Sequence, residues 1–381
     1  MGFLGLEQGN QPHGYMKILL VGKYPPIQGG MASKAYWLCR SLDKMGFQFR
    51  IVTYRPEKYS VKGSKDDSKG IVVNEKEPPW HIPSSSLVSD RLLNASLKIA
   101  ESFSPDIIET NYLWPFCNVA VMISQLLKKP LLIRHAGSDI QKFQGDSEFR
   151  EIMSLYFRSA TLVATNITAK QLVEEISANS AKVLCVPRYM PDPEIFKQTR
   201  TAKVYDILLA GKINYHWKRK GIMHLFEIIK KRNLTALFHI DGKYVNEVVE
   251  LISSRNLQTN IRVASFVAPD EMPHIYNICK YVWCWDKERI IDDFSNVIWE
   301  SLFSGVPCIV NADLQKGPEI ADAISNFPYL VQNLSQEDID DFEFRDSPSL
   351  PSDTNAAKSR LFNDYIRANI GVYQEVLRKS A

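Results

Sequence analysis

Apolar residues along the chain follow two alternating patterns: short continuous runs, and longer stretches in which they recur at helical spacing. Up to about residue 190 there are six short runs, each rich in β-branched residues, as is typical of strands buried on both faces. These predicted strands read KILLVGKY, FRIVTY, DIIETN, LLIRHA, TLVATN and KVLCVP. Strands separated by helices predict a parallel sheet with helices packed against it.

The same alternation starts again after a linker rich in proline and charge, PRYMPDPEIFKQTRTAK. The second series of predicted strands reads DILLAG, LTALFHID, IRVASF, YVWCW, PCIVN and PYLV. The fold class is therefore predicted as α/β, with two Rossmann-like domains. We expect a disordered leader, a first domain, a second domain and a C-terminal helix that crosses back to the first domain, at residues 1–15, 16–195, 203–355 and 356–381.

Composition supports two domains and narrows the function. A chain of 381 residues with 45% hydrophobic content can bury two cores, because one core seldom grows past roughly 250 to 300 residues. The net charge is only +3 and no dense basic run alternates with aromatics, so nucleic acid is not expected as a partner. The six cysteines are scattered without a CxxC pair or a histidine cluster, which indicates core residues in a reducing compartment and no metal site.

Membrane insertion is not expected either. No apolar run approaches the roughly 20 residues that span a bilayer, and the N-terminus lacks the basic start and apolar core of a signal peptide. These features predict a cytoplasmic protein. The amphipathic segment SSSLVSDRLLNASLKIAESF leaves peripheral contact with the cytoplasmic membrane face open, although its apolar stripe is more typical of a core helix.

The segment DDFSNVIWESLFSGVPCIVN, residues 292–311, carries the most chemical information. Asp292 and Glu300 stand eight positions apart, across a short loop and the start of an apolar helix that Gly305 and Pro307 should end. A helix N-terminus attracts an anion, and Glu300 can accept hydrogen bonds from paired hydroxyls such as a ribose diol. An isolated acidic pair at this spacing is also consistent with a helix cap and a surface residue.

Two further motifs follow predicted strands, where ligands bind in doubly wound domains. After the first strand, Gly29 and Gly30 lie directly before a predicted helix, so a phosphate or an acceptor can approach backbone N–H groups closely. Such a glycine pair alone is also common in turns that have no binding function. After the fourth strand comes RHAGSDI, in which His135 ends the strand; a single histidine there is also consistent with a hydrogen bond to the backbone.

Taken together, these motifs resemble the retaining glycosyltransferases of family 4, which have the GT-B fold of two Rossmann-like domains facing each other across a cleft. Their hallmark is a Glu, seven residues and a second Glu, usually opening as EGFG. Asp292 and Glu300 match the two glutamates, while Asp293 and Ser295 replace the glycines. The resemblance implies that Asp292 contacts the donor sugar and Glu300 binds the nucleotide ribose, with Phe294 and Asn296 in the same donor loop.

The other motifs are similar to family motifs at matching places. RHAGSDI resembles the HGSD of the cleft, which implies that His135 approaches the donor sugar and that Ser138 and Asp139 lie at the cleft. Gly29 and Gly30 match a Gly-Gly pair. In VPRYMPDPEIF, Arg188 stands where the family usually has Asn, as a cleft or acceptor contact.

The start of the second series, DILLAGKINYHWKRKG, is similar to a family motif whose Arg and Lys clamp the donor diphosphate. Lys212 stands at the Arg position and Lys220 at the Lys position. Because the departing diphosphate gains negative charge, cationic side chains are expected to stabilise it. The resemblance implies catalysis without a metal or cofactor, with a nucleotide sugar as donor.

The sequence therefore predicts a retaining glycosyltransferase that acts on a glycan, a lipid-linked acceptor or a small molecule, with catalytic roles for His135, Asp292 and Lys220. No side-chain nucleophile is proposed, and a phosphate oxygen is expected to take the acceptor proton. Two alternatives remain open: a sugar-nucleotide epimerase or phosphorylase on the same fold, and a catalytically degenerate protein that only binds a sugar nucleotide.

Overall fold

The computed structural model describes most of the chain, and the account below refers to those residues. They are residues 16–55, 70–74, 84–135, 139–140, 145–214, 216–285, 295–312, 318–344 and 354–380.

The first sheet has seven parallel strands in the order β3-β2-β1-β4-β5-β6-β7. The strands are β1 Lys17–Val21, β2 Gln48–Arg55, β3 Gly70–Asn74, β4 Ile107–Thr110, β5 Leu131–Arg134, β6 Leu162–Thr165 and β7 Val183–Cys185. Its helices are α1 Gly30–Asp43, α2 Ser84–Phe103, α3 Asn118–Leu127 after a π-helical turn Leu113–Cys117, α4 Ser147–Ser159 and α5 Ile167–Ile176. Successive residues of β1 enter different apolar clusters, Ile18 and Leu20 one and Leu19 and Val21 the other, so both sheet faces are covered.

The second sheet has six parallel strands in the order β10-β9-β8-β11-β12-β13. The strands are β8 Tyr205–Lys212, β9 Ala236–Asp241, β10 Ile261–Ala264, β11 Cys279–Cys284, β12 Cys308–Asn311 and β13 Val331–Leu334. Its helices are α6 His216–Arg232, α7 Val245–Ser254, α8 Met272–Asn277 after a short 3-10 turn Pro269–Glu271, α9 Asn296–Phe303, α10 Pro318–Asn326 and α11 Gln336–Asp341. In both sheets the chain runs from a middle strand to one edge, returns to the middle and then runs to the other edge, which is the doubly wound arrangement.

The predicted α/β class and the two series of parallel strands are confirmed, with two differences. The sequence prediction missed β3, whose five residues lie in a stretch rich in charge. The run PYLV was predicted as a strand, but its first residues form a turn and β13 extends from Val331 into the polar residues Gln332 and Asn333. β13 is an edge strand whose two apolar residues both pack, Val331 as a buried residue and Leu334 against the apolar cluster of the second sheet.

The C-terminal helix α12, Thr354–Arg378, packs on both halves of the molecule. Near its start, the buried Lys358 donates from Nζ to the carbonyl oxygen of Phe303 at 2.7 Å, at the end of α9. Near its end, the hydroxyl of Tyr373 donates to Oε2 of Glu109 at 2.7 Å, on β4. One apolar cluster includes residues of both sheets and of this helix, so the two sheets share a continuous core beside α12. The exact domain limits stay a prediction.

Among the described helices, none is long and apolar enough to cross a membrane. The amphipathic helix α2 directs its apolar residues inward, with Leu92, Ile99 and Phe103 buried in the cluster that covers one face of the first sheet. Its apolar stripe is therefore part of the core.

Candidate active site

A cavity of about 100 Å³ lies between the carboxyl ends of the strands of the first sheet and the start of α9. The first sheet contributes polar side chains from the ends of β4, β5 and β6, and α1 contributes one face of its first turns. The second sheet's side of the wall comes from Asn296 and Trp299 of α9. Its remaining walls come from the segment 186–189 and from Tyr373 of α12.

The glycine loop before α1, Gly29–Gly30, lies close to residues of the second half of the chain. Gly29 has φ of 117°, a backbone conformation that favours glycine, and it begins α1 without a side-chain cap. A Cβ atom at Gly29 would lie 3.3 Å from Cε of Lys212 at the end of β8, so a side chain there would crowd the lysine. At Gly30, the carbonyl oxygen accepts a hydrogen bond of 2.9 Å from Nδ2 of Asn296.

Four residues predicted to bind the donor therefore meet although they are far apart in the chain: Gly29, Gly30, Lys212 and Asn296. Gly29 and Ser295, the residues before α1 and α9, make no side-chain cap, so no cap side chain satisfies the first backbone N–H groups of either helix. Lys220 lies in the first turns of α6, and its side chain is outside what the structure describes.

Helix α9 ends as the sequence predicted. Gly305 has φ of 71° and donates to the carbonyl oxygen of Leu302, while Val306 donates to that of Ser301. This pair of hydrogen bonds is a Schellman motif, which satisfies the last carbonyl groups of the helix. The turn fixes the direction in which the chain enters β12.

Glu300 points into the protein, with only 4% of its surface exposed. Its Oε2 accepts a hydrogen bond of 2.7 Å from the hydroxyl of Tyr276 on α8. Burial raises the pKa of Glu300 to about 7, and the hydroxyls of Tyr276 and Tyr189 oppose that rise only in part. Glu300 does not line the cavity, which α9 reaches through Asn296 and Trp299, so its role toward a ribose stays a prediction.

His135 directly follows β5 and lines the cavity. Its Nε2 lies 2.7 Å from the hydroxyl oxygen of Thr165 at the end of β6, and its ring meets that of Phe157 nearly edge-on at 6.4 Å. Two neighbouring strand ends therefore hold the imidazole in place. Arg188, in the segment between the two sheets, lines the same cavity.

Asp139 has a different environment from the one the sequence suggested. It is fully buried, and its carboxylate accepts hydrogen bonds from the backbone N–H of Leu113 at 3.1 Å and of Ile140 at 2.9 Å. Asp139 therefore links its own segment to the turn at Leu113, and it is not among the residues that line the cavity. Four other predicted site residues lie outside the described residues: Ser138, Asp292, Asp293 and Phe294.

The sequence analysis missed a buried polar cluster on the cavity wall. Nε of Arg134 donates to Oε1 of Glu109 at 2.8 Å, and the guanidinium lies 5.5 Å from the ring centroid of Tyr373. Burial lowers the pKa of Arg134, but the Glu109 carboxylate together with Tyr373 and Tyr365 raises it by more, so the net pKa lies above its usual range and the arginine is charged. The sequence carries a signal for this cluster, because the predicted strands DIIETN and LLIRHA each have a charged residue, Glu109 and Arg134, within an apolar run.

Two family models match the chain, one in each half. The model described as Glycosyl transferase 4-like matches residues 31–171, and the model described as Glycosyl transferases group 1 matches residues 191–338. An uncharacterized glycosyltransferase of Methanocaldococcus jannaschii is 22% identical over 283 residues, which are 70% of this chain and 71% of the relative.

Solved structures share the fold over nearly the whole chain. Sucrose-phosphate synthase from Thermosynechococcus elongatus superposes with a TM-score of 0.65 at 13% identity, covering 96% of this chain and 100% of that chain. The HepE protein of Anabaena, in complex with UDP and glucose, has a TM-score of 0.66 at 16% identity, covering 94% and 99%. A UDP-GlcNAc 2-epimerase from Methanocaldococcus jannaschii also superposes, with a TM-score of 0.53 at 13% identity over 94% and 99%.

The predicted fold of two Rossmann-like domains across a cleft is thereby confirmed. Since the family models match both halves, and the residues predicted to bind the donor meet between them, the chain belongs to the group 1, family 4-like glycosyltransferases and is an enzyme with the GT-B fold.

Proposed function

We propose that the enzyme is a retaining, metal-independent transferase that moves a sugar from a nucleoside diphosphate donor to a glycan, lipid-linked or small-molecule acceptor. The observation that carries the proposal is the contact of the Gly29–Gly30 loop with Lys212 and Asn296 across the cleft. The HepE structure, which holds UDP and glucose, supports a nucleotide-sugar donor by analogy of fold.

The starts of α1 and α9 and the Lys212 ammonium form the diphosphate site of this proposal. Backbone N–H groups at a helix start carry a partial positive charge that favours a phosphate. As the glycosidic bond breaks, negative charge accumulates on the diphosphate, so groups fixed in advance around it stabilise the transition state more than the ground state. Lys220 adds a second cation, as the family motif implies.

The donor sugar is held by His135 and Asp292 in this proposal. The hydrogen bond of His135 to Thr165 fixes the imidazole plane beside the cavity, where it can contact a sugar hydroxyl. Glu300 accepts from the nucleotide ribose, which would replace the hydroxyl of Tyr276 as the hydrogen-bond donor to its carboxylate.

Retention of configuration follows from attack on the same side as the leaving group. The acceptor hydroxyl attacks the anomeric carbon as the bond to the diphosphate breaks, and its proton passes to a phosphate oxygen of the leaving group. The enzyme then needs neither a side-chain nucleophile nor a metal. We expect the reaction to take place in the cytoplasm, where a peripheral contact with the membrane would present a lipid-linked acceptor.

The first test is a thermal shift screen with UDP-, GDP- and ADP-sugars. A donor at 100 times its dissociation constant stabilises the folded state by about 2.7 kcal/mol, which is a measurable shift. The donor that binds is then used to measure hydrolysis and transfer by wild type, Lys212→Met and the control Lys230→Met. Lys230 is an exposed lysine in the last turn of α6, far from the cleft.

The proposal expects a loss of about tenfold or more in kcat/KM for Lys212→Met, since one charge-assisted hydrogen bond to the leaving group contributes about 1.5 to 3 kcal/mol. Lys230→Met should match wild type. Activity should survive EDTA, and NMR of the first product should show the donor's anomeric configuration. A nucleotide sugar with altered ring stereochemistry would instead indicate an epimerase, and donor binding without any turnover would indicate a degenerate binding protein.

A further inference from the structure

The side chain of Asn111 holds the start of the loop that leads to Gly29 and Gly30. Asn111 directly follows β4 and is 3% exposed. Its Oδ1 accepts a hydrogen bond of 2.7 Å from the backbone N–H of Lys23, and its Nδ2 donates one of 2.8 Å to the carbonyl oxygen of the same residue. The side-chain amide therefore satisfies both backbone groups of Lys23, as a neighbouring strand would do.

Gly22, the residue before Lys23, packs against the same amide. Its N–H donates to the carbonyl oxygen of Val52 at 3.0 Å, which continues the line of β1 beside β2. A Cβ atom at Gly22 would lie 2.3 Å from Oδ1 and 2.9 Å from Cγ of Asn111. A larger residue at position 22 would therefore push the amide away from Lys23.

Beyond Lys23 the loop has further attachments to the first sheet. Tyr24 and Ile27 are buried in the two apolar clusters that cover opposite faces of this sheet. The N–H of Ile27 donates to the carbonyl oxygen of Tyr24 at 2.9 Å, which closes a tight turn. The glycine pair follows this turn, so its position depends on where the loop leaves β1.

We propose that Asn111 is a positioning residue for the diphosphate site, because it fixes the loop from Lys23 to Gly30 opposite Lys212. This inference rests on the proposed function, which assigns the diphosphate to the glycine loop and Lys212. Backbone N–H groups stabilise a developing charge only when they are held in place beforehand. An amide suits this task, since it supplies an acceptor and a donor together, whereas a carboxylate supplies acceptors alone.

The test compares nucleoside diphosphates with the matching monophosphates, in calorimetric titrations of the full chain with UDP and UMP, GDP and GMP, and ADP and AMP. Each pair shares its base and ribose, so the ratio of the two affinities reports the contacts of the second phosphate. Asn111→Ala should lower this ratio by about tenfold or more, because a displaced loop loses a charge-assisted hydrogen bond to the diphosphate. The affinity for the monophosphate should change much less.

Gly22→Ala tests the same contact while the amide itself is kept. Its new methyl group would displace the side chain of Asn111, so the affinity ratio should fall as it does in Asn111→Ala. In the double variant, the methyl group no longer meets an amide. Its ratio should therefore equal that of Asn111→Ala alone, which is the non-additivity expected of two groups in contact.

The matched control is Asn277→Ala, which removes an equally buried amide from the second half of the chain. Asn277 is 1% exposed, its Oδ1 accepts from the N–H of Thr199 at 2.8 Å, and its Nδ2 donates to the carbonyl oxygen of Lys197 at 3.0 Å. Its loss removes comparable hydrogen bonds but leaves the glycine loop attached. The ratio of diphosphate to monophosphate affinity should therefore remain that of wild type, even if the protein unfolds at a lower temperature.

An unchanged ratio in both Asn111→Ala and Gly22→Ala, or an equal fall in Asn277→Ala, would overturn the inference. If Asn111→Ala does not fold, Gly22→Ala decides alone. A wild-type chain that binds the monophosphate as tightly as the diphosphate, or binds neither, would contradict the proposed diphosphate site itself, and the role of Asn111 would fall with it.

Discussion

Each half of the molecule buries one glutamate, and the two differ in their neighbours: a guanidinium lies beside Glu109, and a second tyrosine, Tyr189, lies beside Glu300. Glu109 on β4 and Glu300 on α9 are 3% and 4% exposed, and each accepts a hydrogen bond of 2.7 Å from a tyrosine hydroxyl, of Tyr373 and Tyr276 respectively. Glu109 also pairs with the guanidinium of Arg134, whereas Glu300 forms no ion pair within the described part of the chain. Its pKa therefore rises to about 7.

The hydroxyls of two tyrosines therefore do not offset the effect of burial on Glu300. A tyrosine hydroxyl donates one neutral hydrogen bond, which returns only part of the hydration that the carboxylate loses on burial. A guanidinium supplies a full opposite charge at 2.8 Å. The carboxylate on β4 therefore lies beside a full opposite charge, while burial raises the pKa of the one on α9 to about 7.

The largest expected effect is the loss of the guanidinium. Arg134→Met leaves Glu109 buried without its counterion, so we expect the free energy of unfolding to fall by about 3 to 5 kcal/mol at pH 7. The double variant Glu109→Gln with Arg134→Met should recover most of that loss, since no charge remains to be desolvated. Urea denaturation of wild type and both variants measures this, and equal losses in the single and double variants would contradict the ion-pair interpretation.

The second-largest expected effect is a pH-dependent change in stability when Glu300 is replaced by glutamine. The pKa of Glu300 is raised from 4.5 to about 7 in the folded protein, so its favourable contribution is present below pH 4.5 and disappears as pH rises through 7. Relative to wild type, Glu300→Gln should therefore gain about 3 kcal/mol of stability between pH 4.5 and pH 8.

Urea denaturation at several pH values measures this gain. The control Glu250→Gln, at an exposed position on α7, should follow wild type across the same range. A constant difference between Glu300→Gln and wild type at every pH would show that the carboxyl titrates normally.

The smallest expected effect is the loss of stability when the hydroxyl of Tyr373 or of Tyr276 is removed. Tyr373→Phe and Tyr276→Phe each delete one hydroxyl that donates to a buried carboxylate, and each should destabilise by about 1.5 to 3 kcal/mol at pH 8. At pH 5 the loss in Tyr276→Phe should shrink, because a protonated Glu300 is a weaker acceptor. Tyr373→Phe is the comparison, because Glu109 keeps its ion pair with Arg134 when the hydroxyl is removed. An equal decrease of the loss in both variants would contradict the contrast.

Much of the fold followed from local patterns. The two series of apolar runs placed the strands of both sheets because buried parallel strands need continuous β-branched segments. β3 was missed because five residues within a charged stretch give too short a signal. β13 was predicted too early in the chain, because its pairing with β12 is made by backbone groups, which the apolar pattern does not report. The turn at Gly305 was predicted because glycine and proline act locally.

The sequence predicted those parts of the site whose residues lie within short, continuous motifs. The glycine loop, Lys212 and Asn296 each had a recognisable neighbourhood in the sequence, and the structure brings them together. The partners of Glu300 and Asp139 had no such signal. Tyr276 and the backbone of Leu113 reach them through packing between distant elements, which no spacing in the sequence records.

The helix α12 limits how the two halves can move. Its 25 residues span about 37 Å, and it is bonded near one end to the carbonyl oxygen of Phe303 and near the other to Glu109. Because a helix is stiff, the distance between these two attachment points changes little. A movement of one lobe that preserves both hydrogen bonds would therefore be a rotation about α12, and loss of either bond would release that constraint.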